Sequence, residues 1–205
     1  MKIRASCFAL ILSFNAVLAL PAKANQIGFQ LVIDDGFNTP AFHLTNTSDS
    51  LLLTSFTLTI GLVSKNWDYV TTLTSPTGGS STLNSPDIFQ NLVRSDVIDL
   101  SFGGFNPFEF ISFRADLDAD PTSNTVEDFR FVMFNNGASV NSVAMATFSN
   151  GQILSLELPD GSTTDASYTF STSATVPDAS GTLGLLAMPA LALALVRLRR
   201  TNRQC

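Results

Sequence analysis

The sequence predicts an all-β protein: an antiparallel β-sandwich or jelly roll, flanked by an N-terminal signal peptide and a short C-terminal transmembrane helix. Three observations predict it. Apolar residues alternate with Ser, Thr and Asp in several short runs of the central segment. Asn-Gly pairs punctuate those runs at Asn136-Gly137 and Asn150-Gly151. Apolar stretches with basic residues on one side stand at both ends of the chain.

The N-terminal element is residues 1–24. Lys2 and Arg4 give a positive start, Ala5 to Leu20 is largely apolar, and Pro21 breaks the run. Ala22-Lys23-Ala24 then reads as an A-x-A cleavage site, with Ala22 and Ala24 as the small residues that signal peptidase requires. The alternative is a short N-terminal anchor, which the length of the run and the cleavage site disfavour.

Residues 25–175 form the expected ectodomain with its terminal linker. Phe29, Leu31 and Ile33 share a face; so do Phe56, Leu58, Ile60 and Leu62; so do Ile98, Leu100 and Phe102; so do Leu154, Leu156 and Leu158. Period two with hydroxyl residues between means strands buried on one side only. No long run has capped 3.6-residue periodicity. Asn-Gly admits positive φ at both central positions of a tight hairpin, so Phe129 to Leu158 reads as an antiparallel meander. Nine or ten strands with frequent turns suit a sandwich or jelly roll. Ser75 to Pro86 is rich in turn formers and reads as an exposed loop, and Ser162 to Thr175 as a last strand that becomes a linker.

Charge restricts what this domain contacts. It holds four basic against sixteen acidic residues, a net charge of −12, whereas the whole chain is at −6 because the other basic residues lie near its ends. Such a surface repels phosphate backbones, which excludes nucleic acid as a partner, and it attracts divalent cations. Cys7 and Cys205 both lie outside the domain, so it has no disulfide. About 150 residues bury enough surface to fold without one.

The C-terminal element is residues 176–205. Val176-Pro177-Asp178-Ala179-Ser180 precedes an apolar run over residues 182–196, and Arg197, Arg199, Arg200 and Arg203 follow it. Arginines beyond an apolar span hold that end in the cytoplasm, which places the domain outside. At 1.5 Å per residue a helix of that run reaches about 22 Å, short of the hydrocarbon core at about 30 Å. Pro189 weakens it further.

The order of motif, short apolar helix, arginine cluster and chain end resembles the PEP-CTERM sorting signal, in which the motif usually reads Val-Pro-Glu-Pro-Ser. Here Asp178 stands for Glu and Ala179 for the second Pro. The resemblance covers about 25 residues. It implies recognition by an exosortase, a membrane cysteine protease, transient attachment to the inner membrane, and a bacterial host that exports polysaccharide. A plain single-pass anchor is the alternative. The stretch Leu100 to Phe110, with Asp116-Leu117-Asp118, also looks like ectodomains joined to such tails, which implies a β-sandwich with an acidic loop.

For chemistry, Asp116, Asp118 and Asp120 with Glu127 reproduce positions 1, 3, 5 and 12 of a calcium loop, so Ca2+ is the one cofactor expected. Pro121 replaces the turn glycine of an EF-hand, and the flanks read as strands, so any such loop joins strand to strand. The alternative is a solvated acidic loop. Trp67 and Tyr69, two residues apart, are candidates for stacking against a sugar ring; ordinary strand packing is the other reading. His43 sits in an apolar context with no nucleophile elbow elsewhere. No His/Cys cluster and no phosphate-binding loop occur. The expectation is therefore a non-enzymatic exported protein of the cell surface or extracellular matrix, associated with exopolysaccharide or biofilm. The alternative is a secreted polysaccharide-acting hydrolase working through a carboxylate pair.

Overall fold

The computed structural model describes residues 25–34, 36–84, 95–119, 125–137 and 139–176. The expected signal peptide, residues 177–205 of the expected sorting tail with its apolar helix and arginines, and Asp120 lie outside the described residues. No described helix is long and apolar enough to cross a membrane.

Residues Gln26–Ala174 form one compact unit. Its elements in chain order are β1 (Asn25–Asp34), β2 (Ala41–Asn46), β3 (Leu53–Thr59), β4 (Lys65–Thr71), β5 (Ser80–Leu83), β6 (Val97–Phe105), β7 (Phe110–Ala119), a one-turn helix α1 (Phe129–Met133), β8 (Val143–Phe148), β9 (Ile153–Glu157) and β10 (Ser167–Val176). They make two five-stranded sheets, ordered β10-β1-β2-β7-β4 and β5-β6-β3-β8-β9. The pairings of β1 with β2, β2 with β7 and β4 with β7 are antiparallel. So are those of β3 with β6 and β8, β5 with β6, and β8 with β9.

The protein is thus all-β, with two sheets packed as a sandwich. Phe29 of β1 meets Phe56 of β3 edge to face, with ring centroids 5.9 Å apart, which places the inner faces in contact. The alternation explains why. Phe29, Leu31 and Ile33 are fully buried, as are Phe56 and Leu58, Ile98 and Leu100. In register, Ile33, Phe42 and Phe113 form one inward row across β1, β2 and β7. The Phe42 ring stacks on Phe113 at 4.9 Å and meets Trp67 edge to face at 5.8 Å.

Four local expectations fail. The run Phe129 to Phe134 is not a strand: it forms α1. Phe129, Val132 and Met133 are buried, at helical spacing, while Phe131, which a strand would place beside Phe129, is half exposed. Asp128 starts the turn by accepting from the Arg130 amide, and the Arg130 side chain folds back onto the same carboxylate. Gly137, at φ +79°, therefore belongs to the α1–β8 connection rather than a hairpin. Asn150-Gly151 does join β8 to β9 as a hairpin, with Gly151 at φ +82°. Ser75 to Pro86 is not all loop, because Ser80–Leu83 pairs with β6 as β5.

Ser162 to Thr175 is not a linker at its far end: β10 continues to Val176, the first residue of the expected sorting motif. Tyr168 and Phe170 of β10 gather with Phe129 and Phe134 of the helical segment, with centroids 4.6 to 6.4 Å apart. The Tyr168 hydroxyl donates to the Ser162 carbonyl.

Candidate functional site

β7 sends Phe113, Ala115 and Leu117 inward, so Asp116 and Asp118 fall on the opposite, outer face. The neighbouring β4 brings a third carboxylate to them through an irregularity. Trp67 pairs with Leu117 and Tyr69 with Asp116, so Asp68 is the extra residue of a β-bulge. The ligand oxygens of Asp68, Asp116 and Asp118 all lie within 4.8 Å of one another. Asp68 and Asp118 are buried; Asp116 is partly exposed.

The loop before β2 and the segment before α1 close over this group. Asn38 Nδ2 and Thr39 Oγ1 both donate to Asp116 Oδ1. The Thr125 amide donates to Asp118 Oδ1 at 2.9 Å, and the Ala119 amide to Thr125 Oγ1 at 2.8 Å. Asn38 Oδ1 in turn accepts from the Glu127 amide at 2.7 Å. The nearby cations are engaged elsewhere: Lys65 pairs with Glu127 at 2.6 Å, and Arg114 donates to the Thr39 carbonyl.

The expected calcium loop is therefore rearranged. Asp116 and Asp118 do converge, but their third partner is Asp68. Glu127 is spent on Lys65, and Asp120 lies outside the described residues. A one-dimensional ligand spacing assumes that the chain curls around an ion, whereas Asp116 and Asp118 sit on an extended strand, which recruits from its neighbour instead. The sequence holds one faint sign of this. Trp67 and Val70 are both inward, three residues apart, which strict alternation forbids and one inserted residue permits.

Electrostatically the group is costly as it stands. The Asp116 carboxyl is pushed above the usual carboxylate range, first by burial and then by the charges of Asp118 and Asp68. The Thr39 hydroxyl and Leu117 amide pull the other way. A carboxyl whose folded pKa is raised stabilises the fold below its unfolded pKa. It loses that contribution as pH rises through the folded value. Without a cation, Asp116→Asn should therefore melt higher than the parent at pH 7. The difference should vanish as pH falls into the ordinary carboxylate range. Melting curves of both proteins in chelator across that range check this; an unchanged difference at low pH would refute it. Three convergent carboxylates, dressed by hydroxyl and amide groups, form an all-oxygen donor set that suits a hard divalent ion such as Ca2+.

The sugar-stacking pair is not formed. Trp67 is fully buried, packed on Phe42, while Tyr69 beyond the bulge is 38% exposed on the other face. The bulge at Asp68 separates two side chains that period two would align. His43 lies on the outer face of β2, opposite Val32 and Ser112 in register, with no carboxylate among its register partners.

No protein-family model matches the chain, and no curated protein does. Among solved structures, the chain is similar to an uncharacterized protein from Nocardia farcinica described as having an immunoglobulin-like fold. Identity is 12%, 72% of this chain and 98% of that one are covered, and the TM-score is 0.37. The all-β architecture itself rests on the strand pairings given above.

Proposed function

We propose that this chain is an exported, non-catalytic protein of the cell surface or extracellular matrix. A signal peptidase would cut after Ala24, and an exosortase would recognise Val176 to Ser180 while the apolar run and Arg197 to Arg203 hold the tail at the inner membrane. The mature sandwich would then associate with exopolysaccharide or biofilm. The observation that carries the reading is the order of segments: two membrane-directed ends enclose a β-rich domain with four basic and sixteen acidic residues. β10 supports it by bringing folded structure up to Val176, so the motif starts where the domain ends.

The test is intact mass and fractionation of the native protein. The expected product starts at Asn25, lacks the arginine tail, and is found outside the inner membrane. Full-length chain in the cytosol would end the proposal.

Within this reading, Asp68, Asp116 and Asp118 hold a calcium ion that pins β4 to β7, a structural clip suited to an extracellular medium. Calcium at 100 times its Kd stabilises a native state by about 2.7 kcal/mol, or ~5–10 °C in Tm for a domain of this size. That rise should appear on adding calcium to chelated protein. It should disappear in Asp118→Asn, which keeps the acceptor for the Thr125 amide but loses the charge. Identical curves with calcium and with chelator would exclude the ion.

A further inference from the structure

The β6–β7 turn carries two aromatic rings that the fold does not use. Phe108 is 71% exposed and Phe110, the first residue of β7, is 64% exposed. Single exposed apolar residues are ordinary. Phe108 is not, because its backbone lies at φ +66°, a region that glycine tolerates and a bulky residue does not. It follows Pro107, in the position where a tight turn calls for glycine. The chain thus bears backbone strain to hold a ring in water, and burial returns nothing for it.

The strained turn is also clamped. The Phe108 amide donates to the Asn46 carbonyl at 2.7 Å, and the Glu109 amide to the Asn106 carbonyl. Glu109 Oε2 accepts from the Asn106 amide at 2.8 Å, and Asn106 Nδ2 donates to the Gly104 carbonyl. The rings are therefore presented on a rigid mount, which lowers the ordering cost of any contact made there. Next to them, the outer face offers hydrogen-bonding groups in line. Phe110 pairs with Thr45, and Thr45 with Gln30, across β7, β2 and β1. That row spans about 10 Å at the usual strand spacing. The side chains of Thr45 and Gln30 make no hydrogen bond within the described protein.

We infer that the Asn106–Phe110 turn, with the outer row Phe110, Thr45 and Gln30, is a contact surface for an uncharged pyranose chain. A sugar ring has an apolar C–H face that stacks on an aromatic ring and a hydroxyl rim that bonds to amide and hydroxyl groups; this surface supplies both, side by side. The other occupants fit less well. A net charge of −12 on the domain repels an anionic lipid surface and a second copy alike. The two Phe side chains, 71% and 64% exposed, offer about 200–350 Å², below the roughly 500 Å² that each partner contributes to a stable protein interface. The inference rests on the matrix reading above and adds the surface by which the polysaccharide is held.

The experiment uses full-length chains expressed in the native cells, purified as processed, and passed over the immobilised polysaccharide that those cells release. Phe108→Gly removes a ring and relieves the turn, so it should melt no lower than the parent yet lose retention at least tenfold. Phe110→Thr, at an exposed strand position, should lose retention with the fold intact. Parent retained and both variants retained equally would overturn the surface and leave the matrix reading standing. A parent that is not retained would overturn both.

Discussion

Asn46→Asp is expected to cost about 3–5 kcal/mol, enough to leave the domain largely unfolded if its stability lies at the low end of the usual range. Asn46 is fully buried at the end of β2, and every polar group it owns is used. Its Nδ2 donates to the Leu51 carbonyl at 2.9 Å and to the Phe105 carbonyl at 3.1 Å. Its Oδ1 accepts from the Ser48 amide and hydroxyl. Its backbone exchanges bonds with Phe108 and Glu109. One side chain therefore ties β2 of one sheet to the end of β6 in the other, and braces the strained turn between β6 and β7. Aspartate keeps the acceptor but turns a buried carboxylate oxygen toward two carbonyls, losing both donated bonds and adding an unpaired charge. Burial and those carbonyls raise its folded pKa, so the deficit should shrink as pH falls through that value, when the protonated acid donates one bond again. Asn46→Ala should be destabilised without that recovery. Urea titrations of both variants at pH 7 and in the acid range separate the two; a common pH dependence would refute the account.

Phe42→Ala should cost a similar ~3–5 kcal/mol. Phe42 is fully buried at the centre of the inward row, stacked on Phe113 and edge-on to Trp67. Phe113 and Trp67 are held by the paired strands β7 and β4 and cannot collapse into the gap, so the loss includes the cavity as well as the transfer of the ring. Trp67 is the single tryptophan of the chain and touches the deleted ring, so its fluorescence reports the change directly. Phe42→Leu, which keeps most of the volume, should lose much less. A midpoint shift for alanine no larger than for leucine would show that Phe42 is not packed as described.

The outer surface and the core obey different kinds of information. Inward rows such as Phe29, Leu31, Ile33 were legible because alternation is local: each residue's face follows from its neighbours two positions away. The same reasoning misplaced Phe129 to Phe134, a run whose apolar residues fit both periods. The arbiter was the Asp128 cap and the pocket that takes Phe129, Val132 and Met133. It also misplaced Trp67 and Tyr69, since one inserted residue reverses the facing of everything beyond it.

The sequence by itself determined the all-β class, the acidic character of the domain, and the alternation that makes two half-buried sheets. These follow from composition and from contacts two residues apart. Only the tertiary structure decided which carboxylates meet, which aromatics stay in water, and that folded strand reaches Val176. Asp68 and Asp116 are far apart in the chain and adjacent only because β4 pairs with β7 in one register with one bulge. Phe108 is exposed on a turn whose backbone is held by Asn46, far away in the chain. Strand pairing is a non-local choice, fixed by the packing of all ten described strands at once, and no single stretch of sequence carries it.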